Sequence, residues 1–277
     1  MGIKGVKQRS PIFEGQPIYS MWLRELIRFF RMKPRVVAFI ASPFTWLILL
    51  GLPLSIVFPK NMLANYGIPQ LPSFFAFVVA GVLGMSLLYG GTNSGVTVLW
   101  DKEFGFLKEV MIAPVRRVSL IIGRSLGAMT ISVIQALITM GIALLFGVWF
   151  GFQIISVAGF FLAIVFMIIT FFAAVGFGLT LGALIEETEG FMTIVRMIEM
   201  PLFFLSGGIL PITVIKNVPV LYQIQYINPL TYGVDGIRGA LTGVYLLPPW
   251  LDFTVIVATA ILFVLLGTYA FSKMEVG

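Results

Sequence analysis

The run SLGAMTISVIQALITMGIALLFGVWFGFQIISVAGFFLAIVFMIITFFAAVGFGLTLGALI, residues 125–185, contains no Asp, Glu, Lys or Arg. About 20 apolar residues at ~1.5 Å each cross the hydrocarbon layer of a bilayer. The run is too long for one crossing, and the stretch from Gly147 to Gln153 offers a turn. It reads as two successive spans, about 118–146 and 154–184.

The same pattern extends in both directions. Val36 to Pro59 carries no charge and forms a first span, 36–59. Lys60 to Gln70, with Asn61, Asn65, Gly67 and Pro69, is a loop, and a second span follows at 72–99. Glu186, Glu187 and Glu189 mark a break before a fifth span at 191–209, and the last runs over 250–271, ahead of Lys273. Between these last two lies an apolar stretch broken by Pro211, Pro219, Pro229, Asn217, Asn228, Gln223 and Gln225. Irregular backbone at membrane depth needs cover from protein or water, so this stretch reads as short re-entrant helices that do not cross. The fold class is therefore all-α and integral to the membrane. Residues 1–35 form an N-terminal segment with an amphipathic interfacial helix, and residues 36–277 form a domain of six transmembrane helices.

Composition agrees. Hydrophobic residues make up 59% and charged residues 11%, with mean hydropathy +1.03. Soluble domains carry about 25% charged residues, so a soluble enzyme and a disordered chain are both excluded. The chain has no Cys and no His. That removes disulfides, thiolate metal sites, Ser-His-Asp catalysis and histidine-based zinc chemistry. No catalytic residue and no metal site is expected. The three glutamates around residue 187 lack the Gly-turned ligand loop of a calcium site.

Charge fixes an orientation. Six spans put both termini on one side. With that side cytoplasmic, fifteen of the eighteen Lys/Arg lie inside, and only Lys60, Lys216 and Arg238 lie outside. This is the positive-inside pattern, and it accounts for the net charge of +6 without nucleic acid. The first long apolar run begins only at Val36, so residues 1–35 do not read as a signal peptide.

Several segments are candidates for function. In Ile18 to Met32, Arg24, Arg28 and Arg31 share one helical face, with Trp22, Leu26, Phe29 and Phe30 roughly opposite. Such a helix lies in the headgroup plane, with its cations near anionic lipid, either as a simple anchor or as an elbow touching a cytoplasmic partner. The loop beginning Trp100, Asp101, Lys102, Glu103, Phe104, Gly105, Phe106, Leu107, Lys108, Glu109 mixes both charge signs with large apolar groups. It suits a helix on the lipid surface or a docking knob for a soluble subunit. Arg196 and Glu199 are intramembrane charges three residues apart. They form a structural pair or line a path. On the outer side, Ser206, Gly207, Gly208 and Pro211 end the fifth helix. Asn228 and Pro229 begin another, carrying Asp235 and Arg238 at i, i+3. These residues read as an outer gate or as a packed external loop. Small residues along the second span, among them Gly81, Gly84, Gly90, Gly91 and Gly95, allow close helix contact.

Three segments together resemble the permease subunit of type-2 ABC exporters, the family of daunorubicin-resistance-like and polysaccharide-export permeases. The first is Asp101-Lys-Glu-Phe-Gly-Phe-Leu-Lys-Glu109 with Pro114, Arg117 and Gly123; Arg124 stands where a Lys often follows the Gly. The second is Pro201-Leu-Phe-Phe-Leu-Ser-Gly-Gly-Ile-Leu-Pro211, and the third is Asn228-Pro-Leu-Thr-Tyr-Gly-Val-Asp-Gly-Ile-Arg238. The resemblance covers nearly all of the chain after residue 18. It implies a homo- or heterodimer of six-span permeases served by two copies of a cytoplasmic ATP-binding cassette subunit. It places the assembly in a prokaryotic cytoplasmic membrane, multi-pass, with both termini cytoplasmic. Trp100 to Glu109 then resembles the helix that couples to the ATPase, and the Arg24 helix a connecting element. ATP and Mg belong to the partner subunit; this chain binds no cofactor and holds no G-x-x-x-x-G-K-[ST] phosphate loop. The implied function is export of an amphipathic drug, lipid or glycan. The alternative is a proton-coupled secondary transporter using Glu199 or Asp235.

Overall fold

A computed structural model of the chain describes residues 15–58, 73–103, 117–185, 187–215 and 218–273, with a few single positions between 63 and 71. Its described residues are helical throughout, with short connections. In chain order the helices are α1 (Gly15–Arg31), α2 (Lys33–Trp46), α3 (Leu52–Val57), α4 (Phe74–Glu103), α5 (Arg117–Phe150), α6 (Val157–Leu184), α7 (Thr188–Phe204), α8 (Ile212–Ile215), α9 (Pro219–Ile227), α10 (Pro229–Thr242) and α11 (Pro249–Lys273).

Among the described residues, five helical stretches are long and apolar enough to cross a membrane: Lys33–Val57, Phe74–Thr97, Ile122–Phe150, Val157–Leu184 and Pro249–Ala270. The first of these is α2 and α3 joined by a π-helical turn at Leu47–Gly51. Pro43 and Pro53 bracket that turn, and each removes a backbone donor, which is where such distortions arise. The expected span at 191–209 is instead the 17-residue α7, which begins at Thr188 and stops at Phe204. At ~1.5 Å per residue it rises about 25 Å, the short end of the range that crosses the hydrocarbon layer. The stop is chemical. Ser206 Oγ donates to Phe203 O (2.7 Å) and accepts from Gly208 N (3.2 Å), while Gly207 takes φ +70°, a conformation open to glycine.

α4 is the centre of the bundle. Its first half, Phe74 to Leu88, is buried almost without interruption. It packs against α5, α6, α7 and α10. The small residues decide those contacts. A Cβ at Gly91 would meet Ala174 Cβ at 2.5 Å, and one at Gly95 would meet Gly178 O at 2.2 Å. α4 and α6 therefore approach backbone to backbone, so packing within the chain is one use of these glycines. α11 packs on the other side of α6, where Gly176 lies against the backbone of Phe263.

α1 lies along α5. Gly123 and Gly127 open the surface of α5 to it: a Cβ at Gly123 would meet Ile18 O at 2.5 Å, and one at Gly127 would meet Glu25 Cβ at 2.7 Å. Met21, Glu25 and Phe29 are the buried face of α1. Tyr19, Ile27 and Phe30 are exposed on its other side.

Candidate functional site

The described residues build two polar centres at opposite ends of the bundle and a cavity system beside one of them. The first centre is at the α1 end. Trp22 Nε1 donates to Thr130 Oγ1 of α5 at 3.0 Å. Glu25, buried between α1 and α5, stands 3.6 Å from Arg124 Nε. Arg24 sits beside this pair, and burial draws its guanidinium below its ordinary pKa while Glu25 opposes that shift and Arg28 adds to it. Arg24, Arg28 and Arg31 do share a groove, together with Leu23 and Ile27. The helix thus buries Met21, Glu25 and Phe29 against the bundle and holds its three arginines in a groove shared with apolar side chains.

A cavity of about 500 Å³ opens between α1, α2, α4, α5 and α7. It is lined by Glu25, Arg35, Asn93, Arg124, Gln135 and Arg196, among others. Through Tyr89, Asn93 and Arg196 it adjoins a second cavity of about 270 Å³ between α4 and α7. Glu199 stands in that second chamber. Its carboxylate is 5% exposed and accepts a hydrogen bond from Thr92 Oγ1 of α4. Arg196 is exposed, and no ion pair joins it to Glu199. Spacing puts the two residues on one side of α7, and both face the second chamber, with Glu199 bonded to Thr92 of α4 and Arg196 reaching the larger cavity as well. Both residues border the cavity system, Arg196 in both chambers and Glu199 in the smaller.

The second polar centre is α10, buried along nearly its whole length. Asn228 caps it: its Oδ1 accepts from Leu230 N at 3.0 Å and its Nδ2 donates to Leu202 O at 2.6 Å. Pro229 fills the first turn, where no donor is missed. Gly243 ends the helix at φ +75°, donating to Gly239 O at 2.8 Å. Arg238, 1% exposed, donates from Nη1 to Asp235 Oδ1 (2.7 Å) and from Nη2 to Gly207 O (2.5 Å), with its guanidinium 4.1 Å from the centre of the Phe77 ring. Asp235 also accepts from Leu246 N (2.9 Å) and Leu247 N (2.8 Å). The residues read as an outer gate, Ser206, Gly207, Gly208, Pro211, Asn228, Pro229, Asp235 and Arg238, are therefore brought together, Pro229 half-buried and the rest buried. Gly208 closes the knot against α4, since a Cβ at Gly81 would meet Gly208 O at 2.3 Å.

Of the loop expected to couple to an ATPase, Trp100, Asp101, Lys102 and Glu103 extend α4 as its last turn. Trp100 packs beside Val96, Leu99, Phe191 and Val195, so its ring joins α4 to α7 rather than standing free. Phe104, Gly105, Phe106, Leu107, Lys108 and Glu109 lie outside the described residues, as does Glu186.

Comparison with known proteins decides the family. The profile of the ABC-2 type transporter family matches residues 16–242, from the start of α1 to the end of α10. The chain belongs to the ABC-2 type transporter permeases. It is 27% identical over 225 residues to the transport permease ycf38 of Cyanophora paradoxa, covering 80% of this chain and 73% of that one. The ycf38 permease of Porphyra purpurea matches equally, 27% over 227 residues with the same coverage. The multidrug ABC transporter permease YbhR of Escherichia coli (strain K12) is 28% identical over 161 residues, 57% of this chain and 42% of YbhR.

Three residues of this ABC-2 permease matter more than the sequence suggested. Glu25 is the one acid between residues 15 and 100. Standing alone in a cationic helix, it was the available sign of a buried partner. Thr92, in a small-residue segment, turns out to hold Glu199. Asp252, in the first turn of α11, is fully buried with its carboxyl facing Asp235. A carboxylate near the start of an apolar span is the signal that marked it.

Proposed function

We propose that this chain is the membrane-embedded half of an ATP-driven exporter. It pairs with a second permease copy or a related permease. Two cytoplasmic ATP-binding cassette subunits supply the energy and hold the ATP and Mg. The cargo is amphipathic: a drug, a lipid or a lipid-linked glycan. The observation that carries this reading is the family match over residues 16–242 in a sequence with no phosphate-binding loop of its own.

The geometry supports a direction of travel. The end of the bundle at α1 carries most of the cations and reads as the cytoplasmic end by the positive-inside pattern. The two joined cavities begin at that end and run between α4 and α7. Away from that end the path is bounded by Trp46 and Met85, which pack with Phe203 and Ile209 on either side of the break at Ser206 to Gly208. Cargo therefore enters from the α1 side, and the knot is the gate that opens outward. Trp100 to Glu109 transmits the motor's closure, because α4 continues from the centre of the bundle directly into that segment.

The test is recovery of the chain from its native membrane in mild detergent, followed by identification of bound proteins and an ATPase assay. A co-purifying ATP-binding cassette subunit, lost when Glu103 and Glu109 are changed to Ala, is the expected result. Recovery of the chain without any ATPase would overturn the reading.

A further inference from the structure

The larger cavity holds more positive charge than its own carboxylate balances. Arg35 from α2, Arg124 from α5 and Arg196 from α7 line it, against Glu25 alone. Glu25 is committed to Arg124 at 3.6 Å. Glu199 stands in the neighbouring chamber and is engaged by Thr92. Arg35 rests 5.6 Å from the centre of the Phe29 ring, and among the described residues no ion pair reaches it or Arg196. Neutral donors stand with them. Ser94 lines the same cavity, is 3% exposed, and its hydroxyl has no hydrogen-bond partner. Asn93 is exposed there beside it. A buried hydroxyl without a partner costs about 1–3 kcal/mol unless something fills the role. Phe39, Trp46, Met85 and Ile131 give the rest of the wall its apolar part, beside the polar Ser42, Ser86, Thr97, Ser132 and Gln135.

We infer that this cavity is a binding site for a phosphate-bearing amphiphile. Arg35 and Arg196 grip the headgroup, Ser94 and Asn93 donate to it, and the first carbons of the chain run along Trp46 and Met85. Guanidinium forks match phosphate oxygens in pairs, whereas an ammonium headgroup would meet two like charges. A volume of about 500 Å³ takes a headgroup with the start of its chain and leaves the rest to lipid. The inference rests on the transport reading for what the ligand is for, but binding itself requires no motor.

The test uses the chain with its co-purifying partners, in nanodiscs of neutral lipid, and 32P-labelled dodecyl phosphate as the probe. Unlabelled dodecyl phosphate displaces it. Dodecyltrimethylammonium and inorganic phosphate at the same concentration do not. Arg35→Gln and Arg196→Gln each weaken binding about tenfold, Ser94→Ala less, and Arg31→Gln, a cation outside the cavity, not at all. Displacement by the cationic amphiphile, or unchanged binding in both arginine variants, overturns the site. Equal displacement by inorganic phosphate overturns the amphiphile and leaves a free-anion site. Binding with no ATPase partner recovered would sink the transport reading alone. An active ATPase complex stimulated by another cargo but blind to dodecyl phosphate would sink this inference alone.

Discussion

Arg238 reaches back thirty-one residues to donate to the carbonyl of Gly207 at 2.5 Å. One side chain thereby ties the buried helix α10 to the break that ends α7. Asp235 holds the same guanidinium and two amides after α10. Removing one member of such a pair leaves the other charged and buried, at about 3–5 kcal/mol. Arg238→Met and Asp235→Leu are each expected to lower the thermal unfolding temperature sharply in detergent. The double variant recovers only part of the loss, since the amides of Leu246 and Leu247 stay unpaired. Full additivity of the two losses would show that the pair is not a unit.

Asp252 is expected to behave differently. One guanidinium already balances one carboxylate, and Asp235 has the hydrogen bonds. Asp252→Asn keeps the shape and removes a surplus buried acid. Unfolding within about 1 kcal/mol of the parent is expected. A loss as large as that of Asp235→Leu would assign Asp252 a partner of its own.

The glycines of α4 are expected to be intolerant where they touch backbone. A Cβ at Gly91 has 2.5 Å to Ala174, whereas one at Gly141 in α5 has nothing within 4 Å. Gly91→Val should abolish accumulation of folded protein, and Gly141→Ala should leave it unchanged. Fluorescence-detected size exclusion reads both. Normal folding of Gly91→Val would mean that α4 and α6 are further apart than described.

Glu199 separates two kinds of transporter. In the ATP-driven reading it is a polar wall anchored by Thr92, so Glu199→Gln keeps a partner and transport survives. In a proton-coupled carrier the same change stops turnover. Uptake into inside-out vesicles, with and without a proton gradient and with ATP supplied, distinguishes them. Uptake that runs on the proton gradient without ATP, and is lost in Glu199→Gln, would favour the proton carrier.

The seat of α1 is expected to depend on Gly123. Gly123→Leu should force α1 off α5, because Ile18 O and Met21 Cβ occupy the space. Limited proteolysis within residues 15–31 would then speed up. Trp22→Phe, which loses the bond to Thr130 and part of the ring against Tyr19, should leave α1 seated at a cost of about 1–2 kcal/mol. Equal protection in Gly123→Leu and the parent would place the support of α1 elsewhere.

Much of this was legible in the sequence, for reasons that are local. Asn228-Pro229 announced the start of α10 because an asparagine cap followed by proline is a signal one turn long. Ser206-Gly207-Gly208 announced the end of α7 in the same way, though the helix stops at Phe204, five residues before the expected boundary at 209. What sequence could not show is which way a residue turns between two neighbours. Arg196 and Glu199 share a helical side by spacing. Only the position of Thr92, on another helix, gives Glu199 a hydrogen-bond partner and leaves Arg196 without an ion pair beside it among the described residues. Arg238 was likewise assigned to Asp235 by its i, i+3 spacing, while its bond to Gly207 depends on tertiary folding.

α4 touches its neighbours through glycine on several sides at once: Gly81 at Gly208, Gly84 at Val234, and Gly91 and Gly95 along α6. A close-packed helix of this kind has no free direction in which to slide. It is a fixed axle. α2, α5 and α11, which leave large apolar side chains exposed, carry no such constraint on their outer faces. A change of access in this molecule is accordingly a movement of the rim about a stationary post. The seam that yields first is the open one beside α7, where the cavities already part the helices.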